Sequence, residues 1–391
     1  MEILSQSPTD PIFVQDPYPF YERARPAGPL FHWADYGLTC TGNAAAVSAI
    51  FRDRRFGREP VEPLPILDHL APFYAVEAHS MLELEPPRHT RLRGLVLRAF
   101  TSRRIAALAP EIETLCHRLI DGFPPGPSDL LQHYGTRLPV IIIARLLGVP
   151  EARADDLLRW SNAMVGMYMA GRTRDTEDRA VAAAEAFVAF LHGHIEARRA
   201  DPADDLITHL IAAEEAGERL TTDELVSTCI LLLNAGHEAT VHTIGNGVKV
   251  LLETGTPPDA LSPDRVEGTV EEILRFDPPL HMFTRWAYED IDVMGHTFRR
   301  GDQVGLLLAA ANRDPGVWER PDQFDPTRPI KSHASFGAGL HFCVGAPLAR
   351  LELQIALQVL FQRLPALRLV EAPEYADVYH FHGLRRLMVE G

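Results

Sequence analysis

The fold of this chain is decided by one stretch near its carboxyl end, which reads Phe336-Gly337-Ala338-Gly339-Leu340-His341-Phe342-Cys343-Val344-Gly345. Gly337, Gly339 and Gly345 keep bulky Cβ atoms off the backbone, so this loop can lie close against a flat partner. Pro347 suits the first turn of a helix that begins just past the cysteine. The N-terminal amides and the dipole of such a helix stabilise a negative sulfur. The stretch therefore indicates a thiolate, that of Cys343, presented by a glycine-opened loop.

The other three cysteines give no comparable signal. They lie far apart and none belongs to a C-x-x-C pair, so neither a disulfide framework nor a zinc site is indicated. A lone cysteine is most often a buried structural residue, and we assign this role to Cys40, Cys116 and Cys229. For Cys343 the glycine spacing argues against that interpretation.

The stretch of residues 336–345 resembles the haem-binding signature F-x-x-G-x-[HR]-x-C-x-G of bacterial cytochromes P450 and matches it at every fixed position. The resemblance implies that Cys343 is the axial thiolate ligand of haem b, iron protoporphyrin IX. It also implies that Phe336, His341 and Gly345 lie against the haem. A thiolate ligand gives the iron electron density that favours O–O bond cleavage over reversible oxygen carriage. The expected fold is then the cytochrome P450 fold.

The hydrophobic periodicity predicts a mainly α protein. Apolar residues recur at helical spacing from about residue 87 to residue 261, and further helices are predicted over about residues 44–52 and 346–363. No internal repeat, linker or change in composition marks a boundary. Residues 1–391 are therefore predicted to form a single large domain around a buried haem.

Strand signals are few, which predicts only minor β structure. Residues 31–33 and 38–41 flank a turn and are predicted to form a short hairpin. Alternation between residues 286 and 308, with glycines at the turn points, predicts a small antiparallel element.

A carboxylate and a guanidinium lie one turn apart at Glu272 and Arg275, on a helix that Pro278 and Pro279 terminate. Such a spacing arises often by chance and then forms a solvated surface pair. Here its place before the cysteine loop resembles the E-x-x-R motif of the family. The resemblance implies a structural role, in which the pair ties the core to the ligand loop.

The two propionates of a buried haem need cationic or hydrogen-bonding partners. His89 and Arg93 lie four residues apart and so share one helix face. The family has an H-x-x-x-R pair at a propionate, and the resemblance adds Arg285 and His341 to this set. The alternative is a basic, solvated helix.

A long helix is predicted to begin at the capping box formed by Thr221 and Glu224 and to continue to about Leu252. At 1.5 Å per residue, its roughly thirty residues span about 45 Å, and because it is apolar nearly all round it is expected to be central.

Within that helix, residues 235–238 resemble the A-G-x-[D/E]-T segment of the family. The resemblance implies that Gly236 leaves room for O2 and that Glu238 is the proton-relay carboxylate. The alternative for Glu238 is a mid-helix surface carboxylate. The chain departs from the motif at Ala239, where the family has threonine. Thr240 follows, but one residue is a rotation of about 100°, so it does not simply replace the missing hydroxyl.

Charge excludes some partners. A formal net charge of −15 argues against nucleic acid and against an anionic membrane, because both favour a basic surface. The first eight residues have neither a basic region nor an apolar run that would form a signal peptide or anchor. We therefore expect a cytoplasmic protein.

The resemblance implies a monooxygenase that inserts one oxygen atom from O2 into a small-molecule substrate by hydroxylation, epoxidation or oxidative dealkylation. Electrons are then expected from a separate ferredoxin and its ferredoxin reductase. Two alternatives stay open, a haem-binding sensor without turnover and a peroxide-driven or non-oxygenating enzyme of the same fold. The missing threonine at Ala239 keeps the sensor in view.

The substrate pocket is placed by the same resemblance. Its side chains are mostly apolar, with adaptable methionines, which suggests a small or medium hydrophobic organic molecule with one polar handle. The predicted lining residues are Phe73, Met167, Leu232, Ala235, Met282, Phe283 and Phe381.

Overall fold

The computed structural model describes residues 1–213 and 219–391. Helices make up 54% of the described residues and strands 11%, which confirms a mainly α fold with minor β. The α-helices are α1 (Pro11–Gln15), α2 (Tyr18–Ala24), α3 (Ala44–Arg52), α4 (Ala71–Glu77), α5 (Arg88–Ala99), α6 (Ser102–Ala107), α7 (Ala109–Asp121), α8 (Arg137–Leu147), α9 (Ala154–Val165), α10 (Arg174–Ala200), α11 (Leu206–Ala212), α12 (Thr222–Glu253), α13 (Val266–Phe276), α14 (Leu308–Asn312) and α15 (Ala346–Arg363).

The strands are short and mostly antiparallel. They are β1 (Ile3–Leu4), β2 (Phe31–Trp33), β3 (Leu38–Thr41), β4 (Phe56–Gly57), β5 (Ser128–Asp129), β6 (Met282–Ala287), β7 (Ile291–Val293), β8 (His296–Phe298), β9 (Gln303–Leu307), β10 (Arg368–Leu369), β11 (Glu374–Tyr375), β12 (Leu384–Arg386) and β13 (Met388–Glu390).

Local signals in the sequence set several of these boundaries. The backbone N–H of Thr221 donates to Glu224 Oε2 at 2.9 Å, and the N–H of Glu224 donates to Thr221 Oγ1 at 3.2 Å. This confirms the capping box at the start of α12. The helix over residues 346–363 is also confirmed, with Pro347 in its first turn.

The predicted hairpin is β2 and β3, which pair antiparallel from Phe31↔Cys40 to Trp33↔Leu38. The antiparallel element is confirmed as β6 with β9 and β7 with β8. What the sequence did not predict is that β9 also pairs in parallel with β3. The hairpin and the β6–β9 pair therefore belong to one six-stranded sheet of order β1-β2-β3-β9-β6-β4, whereas β7 and β8 form a separate two-stranded sheet.

Contacts within the chain divide it into two compact units. One unit comprises Met1–Glu62, Glu113–Gly135 and Ala239–Gly391, and it holds the six-stranded sheet, α13 and α15. The other comprises Pro63–Ile112 and Thr136–Glu238, and it is helical. The single domain stays a prediction.

Two hydrophobic clusters pack on the six-stranded sheet in the first unit. One is aromatic and includes Phe13, Phe20 and Trp33, whose rings meet at centroid distances of 4.6 to 5.9 Å. The other packs α3 residues, among them Phe51, against the sheet. In the described part of the chain, no helix is both long enough and apolar enough to cross a membrane.

Candidate active site

The loop before α15 presents Cys343 with its side chain exposed. A 3₁₀ turn over Gly339–His341 precedes the cysteine, and the N–H of Cys343 donates to the carbonyl of Phe336 at 3.0 Å. The N–H of Ala346, the first residue of α15, donates to the Cys343 carbonyl at 3.4 Å. The sequence therefore places the thiol immediately before the amino end of an eighteen-residue helix, as predicted.

Glycine is required at one position of this loop. The backbone of Gly339 has φ of +69°, and a Cβ atom there would lie 2.1 Å from the carbonyl oxygen of Phe51. No side chain can meet both conditions without moving the backbone. Glycine therefore allows the loop to pass close against the end of α3 on its way to Cys343.

The same phenylalanine contacts a predicted haem residue. Arg285 is buried on β6, and its guanidinium carbon lies 4.8 Å from the ring centroid of Phe51. Its Nη1 donates to the carbonyl of Thr284 at 2.8 Å. The cysteine loop and β6 thus both contact the end of α3, through Gly339 and Arg285 respectively.

Glu272 and Arg275 form a buried pair. The exposed fractions of the two residues are 4% and 1%, which excludes the solvated surface pair. Arg275 Nε and Nη2 donate to the two Glu272 oxygens at 2.7 and 2.8 Å. Arg275 also donates to three carbonyls that precede the cysteine loop, those of Asn312, Pro321 and Gln323.

A second carboxylate on α13 was not predicted from the sequence. Glu271 accepts two hydrogen bonds from Arg350 on α15, at 2.6 and 2.9 Å, and lies 3.1 Å from His333 Nε2. Burial opposes ionisation of Glu271, but the bonds from Arg350 and His333 outweigh it and lower its pKa to about 2. The Arg350 guanidinium carbon also lies 4.5 Å from the ring centroid of Phe336.

The role of Asn312 was also not predicted from the sequence. Its Oδ1 accepts from the N–H of Ala334 at 2.6 Å, and its Nδ2 donates to Ser335 Oγ at 2.8 Å. Ser335 in turn donates to the carbonyl of Leu274 on α13. The sequence signal for these contacts was a pair of adjacent acids on a helix that ends at two prolines. That signal does not identify the partners of the acids.

His89 and Arg93 lie on one face of α5 in the helical unit. His89 is buried, which excludes a fully solvated helix face at this position. Arg93 is partly exposed.

The centre of α12 has two distinct faces. Ala235 is exposed and Glu238 and Ala239 are partly exposed, at the i, i+3, i+4 spacing of one helix face. Thr240 is buried, as is His237. Thr240 therefore lies on a different face from Ala239, in agreement with the rotation expected from the sequence.

Gly236 lies beside α8. A Cβ atom on Gly236 would meet Ile143 at 3.5 Å, an ordinary contact, so packing alone does not require glycine at this position.

His237 is a neighbour of Glu238 that the sequence did not single out. Its Nδ1 lies 2.9 Å from the carbonyl oxygen of Leu233, which can only accept, so Nδ1 carries a hydrogen. Its Nε2 lies 3.3 Å from Glu238 Oε2. A proton on Nε2 or on the carboxyl group makes that contact attractive, and the pair can therefore hold one proton.

The predicted pocket residues belong to both units. Phe73 on α4, Met167 in the 3₁₀ turn Gly166–Tyr168 and Leu232 on α12 are buried in the helical unit. On β6, Met282 packs into the aromatic core cluster, while the next residue, Phe283, is partly exposed. Phe381 is partly exposed in the loop before β12.

The remaining cysteines differ from Cys343 as expected. Cys40, Cys116 and Cys229 are buried, whereas Cys343 is exposed. Burial raises the pKa of Cys40 and Cys116 to about 12, so both are neutral thiols at physiological pH. An exposed thiol before a helix, on a loop held by a required glycine, fits a thiolate-bound haem, and the buried thiols do not.

Comparison with known proteins gives a consistent result. The family model described as Cytochrome P450 matches residues 266–368. The Vitamin D(3) 25-hydroxylase of Pseudonocardia autotrophica is 38% identical over 394 residues, which cover 96% of this chain and 94% of that protein. Cytochrome P450 monooxygenase PikC of Streptomyces venezuelae is 37% identical and covers 92% of this chain and 87% of its own.

A solved structure also matches over nearly the whole length. P450BioI, in complex with acyl carrier protein ligated to hexadec-9Z-enoic acid, superposes with a TM-score of 0.91 at 35% identity. The match covers 97% of this chain and 99% of that one.

Proposed function

This chain belongs to the cytochrome P450 family of monooxygenases, and we propose that it inserts one oxygen atom from O2 into a small or medium hydrophobic substrate, with haem b bound through Cys343. The observation that carries this proposal is the exposed thiol of Cys343 on its glycine-held loop at the start of α15. When bound, the haem supplies the oxygen-activating chemistry. The protein supplies binding, orientation and protons.

The ligand loop is held by the α13 anchor, which we define as Glu271, Glu272 and Arg275. Glu271 bonds Arg350 on α15, and Arg275 bonds the segment before the loop. These contacts support a structural role in which the anchor fixes the position of Cys343.

Phe336, His341 and Gly345 belong to the loop itself, and we propose that they contact the haem. We propose that the haem propionates bind His89, Arg93, Arg285 and His341.

Proton delivery is assigned to α12. Glu238 is partly exposed and can exchange protons, and its contact with His237 Nε2 allows the pair to hold one proton. We propose that Gly236 leaves room for O2 on the same helix. We infer that the pair releases its proton through ordered water, because Ala239 offers no hydroxyl to continue the path.

The substrate is proposed to be apolar with one polar group. The pocket prediction rests on apolar residues, and Phe283 and Phe381 are partly exposed side chains in their unit. Two relatives have names or titles that mention vitamin D(3) and a carrier-bound hexadecenoic acid, both of which are largely hydrocarbon. A spectral screen of such compound classes tests this proposal, because a compound that binds beside the haem would change its absorption spectrum.

Turnover assays separate the proposed activity from the alternatives. Substrate-dependent NADH consumption with a surrogate ferredoxin and its reductase supports the monooxygenase. Product formation with hydrogen peroxide alone, and none with the electron-transfer partners, supports the peroxide-driven enzyme. Ligand binding without product in both assays supports the sensor. The alanine at position 239 is the observation that favours testing all three.

The role of Ala239 leads to a prediction on coupling. With a methyl group there, a hydroxyl or carbonyl on the substrate must help to order the water that carries protons. We expect a substrate with such a group to couple NADH to product, and an apolar analogue of similar shape to yield mostly peroxide. Ala239→Thr should improve coupling of the analogue about fivefold, the factor that corresponds to one hydrogen bond of about 1 kcal/mol.

Thr240→Ala is the matched control for that experiment. Thr240 is buried on another face of α12, so its loss should leave coupling nearly unchanged. Equal coupling of both compounds by the natural enzyme, or collapse of coupling in Thr240→Ala alone, contradicts the prediction.

Electron transfer gives a second prediction. A ferredoxin is usually acidic, so an acidic enzyme needs a local basic patch where the two proteins dock. Arg98, Arg103 and Arg104 on α5 and α6 are proposed to form this patch. Reversing the charge of Arg103 and Arg104 should slow reduction about tenfold or more at low salt, and much less above about 0.1 M, where screening acts within about 10 Å.

The control is a double charge reversal on α10. Arg174 and Arg179 are exposed and form i,i+4 pairs with Asp178 and Asp175. Their reversal changes the net charge by the same amount without touching the proposed patch. Stopped-flow reduction rates that fall equally in both double variants, or in neither, remove Arg103 and Arg104 from the docking surface.

A further inference from the structure

Three side chains that can bind a metal meet inside the unit that holds the six-stranded sheet. Asp277 directly follows α13, His281 directly precedes β6, and His382 lies in the loop before β12. One donor atom from each lies within 4.8 Å of the other two, and His382 Nε2 is 3.6 Å from Asp277 Oδ1. The three residues are 5%, 0% and 1% exposed, so the donor atoms face each other within the core.

Asp277 is a buried carboxylate, and among the described residues no lysine or arginine lies at salt-bridge distance from it. Its oxygens accept hydrogen bonds from the hydroxyls of Tyr18, at 3.0 Å, and Tyr375. Within residues 1–213 and 219–391, the basic group at salt-bridge distance is the imidazole of His382 alone. The nearby Arg313 stacks on the Tyr18 ring and donates to the carbonyl of Phe276 instead. Buried carboxylates are normally paired with a cation or bound to a metal.

The hydrogen bonds of His281 leave one ring nitrogen unprotonated, with its lone pair available. The Tyr21 hydroxyl donates to Tyr379 at 2.9 Å, so its oxygen accepts from His281 Nδ1–H at 2.8 Å. His281 Nε2 then carries no hydrogen, and it has no hydrogen-bond partner among the described residues. Metal-binding histidines have this arrangement, in which the second ring nitrogen donates to an acceptor that fixes the ring.

His382 is held by ring stacking and backbone contacts, and its Nδ1 has no hydrogen-bond partner among the described residues. Its ring stacks on Tyr375 at a centroid distance of 3.8 Å and lies 4.3 Å from the His281 ring. Asn246 Nδ2 donates to the backbone carbonyls of both Asp277 and His382, at 3.2 and 2.9 Å.

We propose that Asp277, His281 and His382 bind a zinc ion, with water as the fourth ligand. Two imidazole nitrogens and one carboxylate oxygen suit zinc, which imposes no geometry of its own beyond a preference for four ligands. Bonds of about 2.0–2.1 Å place tetrahedral ligand atoms about 3.3 Å apart. The Asp277 and His382 atoms, 3.6 Å apart, are already close to that distance, and a movement of at most about 1.5 Å brings in His281.

Such an ion neutralises the buried carboxylate and joins segments that are far apart in the sequence. The ion would lie between the end of α13 and the start of β6. Through His382 it would also link the loop before β12 to these two elements. Its role is structural, and it does not depend on the proposed activity. Because the ligands are buried, the ion is taken up as the chain folds.

The experiment measures zinc and iron in the holoenzyme purified from zinc-supplemented culture. About one zinc per chain is expected in the natural protein, and less than about a tenth in the double variant His281→Gln/His382→Gln. His296→Gln is the matched control, because His296 lies on β8 outside the cluster, and it should keep the full zinc content.

X-ray absorption at the zinc edge of the natural protein gives a second measurement that needs no variant. The expected spectrum shows two imidazole ligands and two oxygen ligands at about 2.0–2.1 Å. The proposal is overturned if the natural protein holds less than about a tenth of a zinc per chain, if the spectrum shows sulfur ligands, or if the folded double variant keeps its zinc.

Discussion

Replacing Cys343 by histidine should abolish the thiolate-type spectrum of the reduced carbon monoxide complex. Turnover should fall by at least about 100-fold, which corresponds to about 2.7 kcal/mol in the activation barrier. The reason is that thiolate donation favours O–O bond cleavage, and imidazole does not supply it to the same extent. Among the described residues Cys343 is the exposed cysteine, and no other thiol can replace it. Absorbance spectra of the dithionite-reduced, carbon monoxide-treated protein measure the change.

Cys116→Ala is the control for this substitution. Cys116 is buried on α7 and its pKa of about 12 keeps it a neutral thiol, so its loss should leave the spectrum unchanged. A natural protein whose reduced complex already has the band of histidine-ligated haem would contradict the assignment of Cys343.

Arg275→Ala should prevent haem incorporation and reduce the free energy of unfolding by about 3–5 kcal/mol. The substitution leaves the Glu272 carboxylate buried with fewer donors and removes the partner of three backbone carbonyls. Those carbonyls lie in the segment that leads to the cysteine loop, so the loop loses its support. The haem content per chain and the midpoint of urea unfolding are the measurements.

Arg363→Ala provides the comparison for that result. Arg363 lies 2.7 Å from Asp121, but the two side chains are 36% and 64% exposed, and such pairs contribute about 0–1 kcal/mol. If Arg275→Ala purifies with full haem and unfolds at the same urea concentration as Arg363→Ala, the buried pair is not an anchor.

Much of the chain was predictable because its signals act over a few residues. Thr221 and Glu224 cap α12 by bonding each other's backbone, and Pro347 begins α15 because its fixed φ suits a first turn. The cysteine loop was recognisable because its glycines stand at fixed distances from Cys343. The separation of Ala239 from Thr240 was also predictable, since the rotation per residue of a helix is constant.

The sequence by itself therefore determined the fold class, the boundaries of several elements and the family through the loop of residues 336–345. Only the tertiary structure decided whether Glu272 and Arg275 are a surface pair or a buried one, since the same spacing serves both. It alone brought Arg350 to Glu271 and β9 beside β3. Partners that are tens or hundreds of residues apart are selected by packing and burial, which a local pattern does not encode. The cluster of Asp277, His281 and His382 is assembled in that way, about a hundred residues of chain separating its first two ligands from its third.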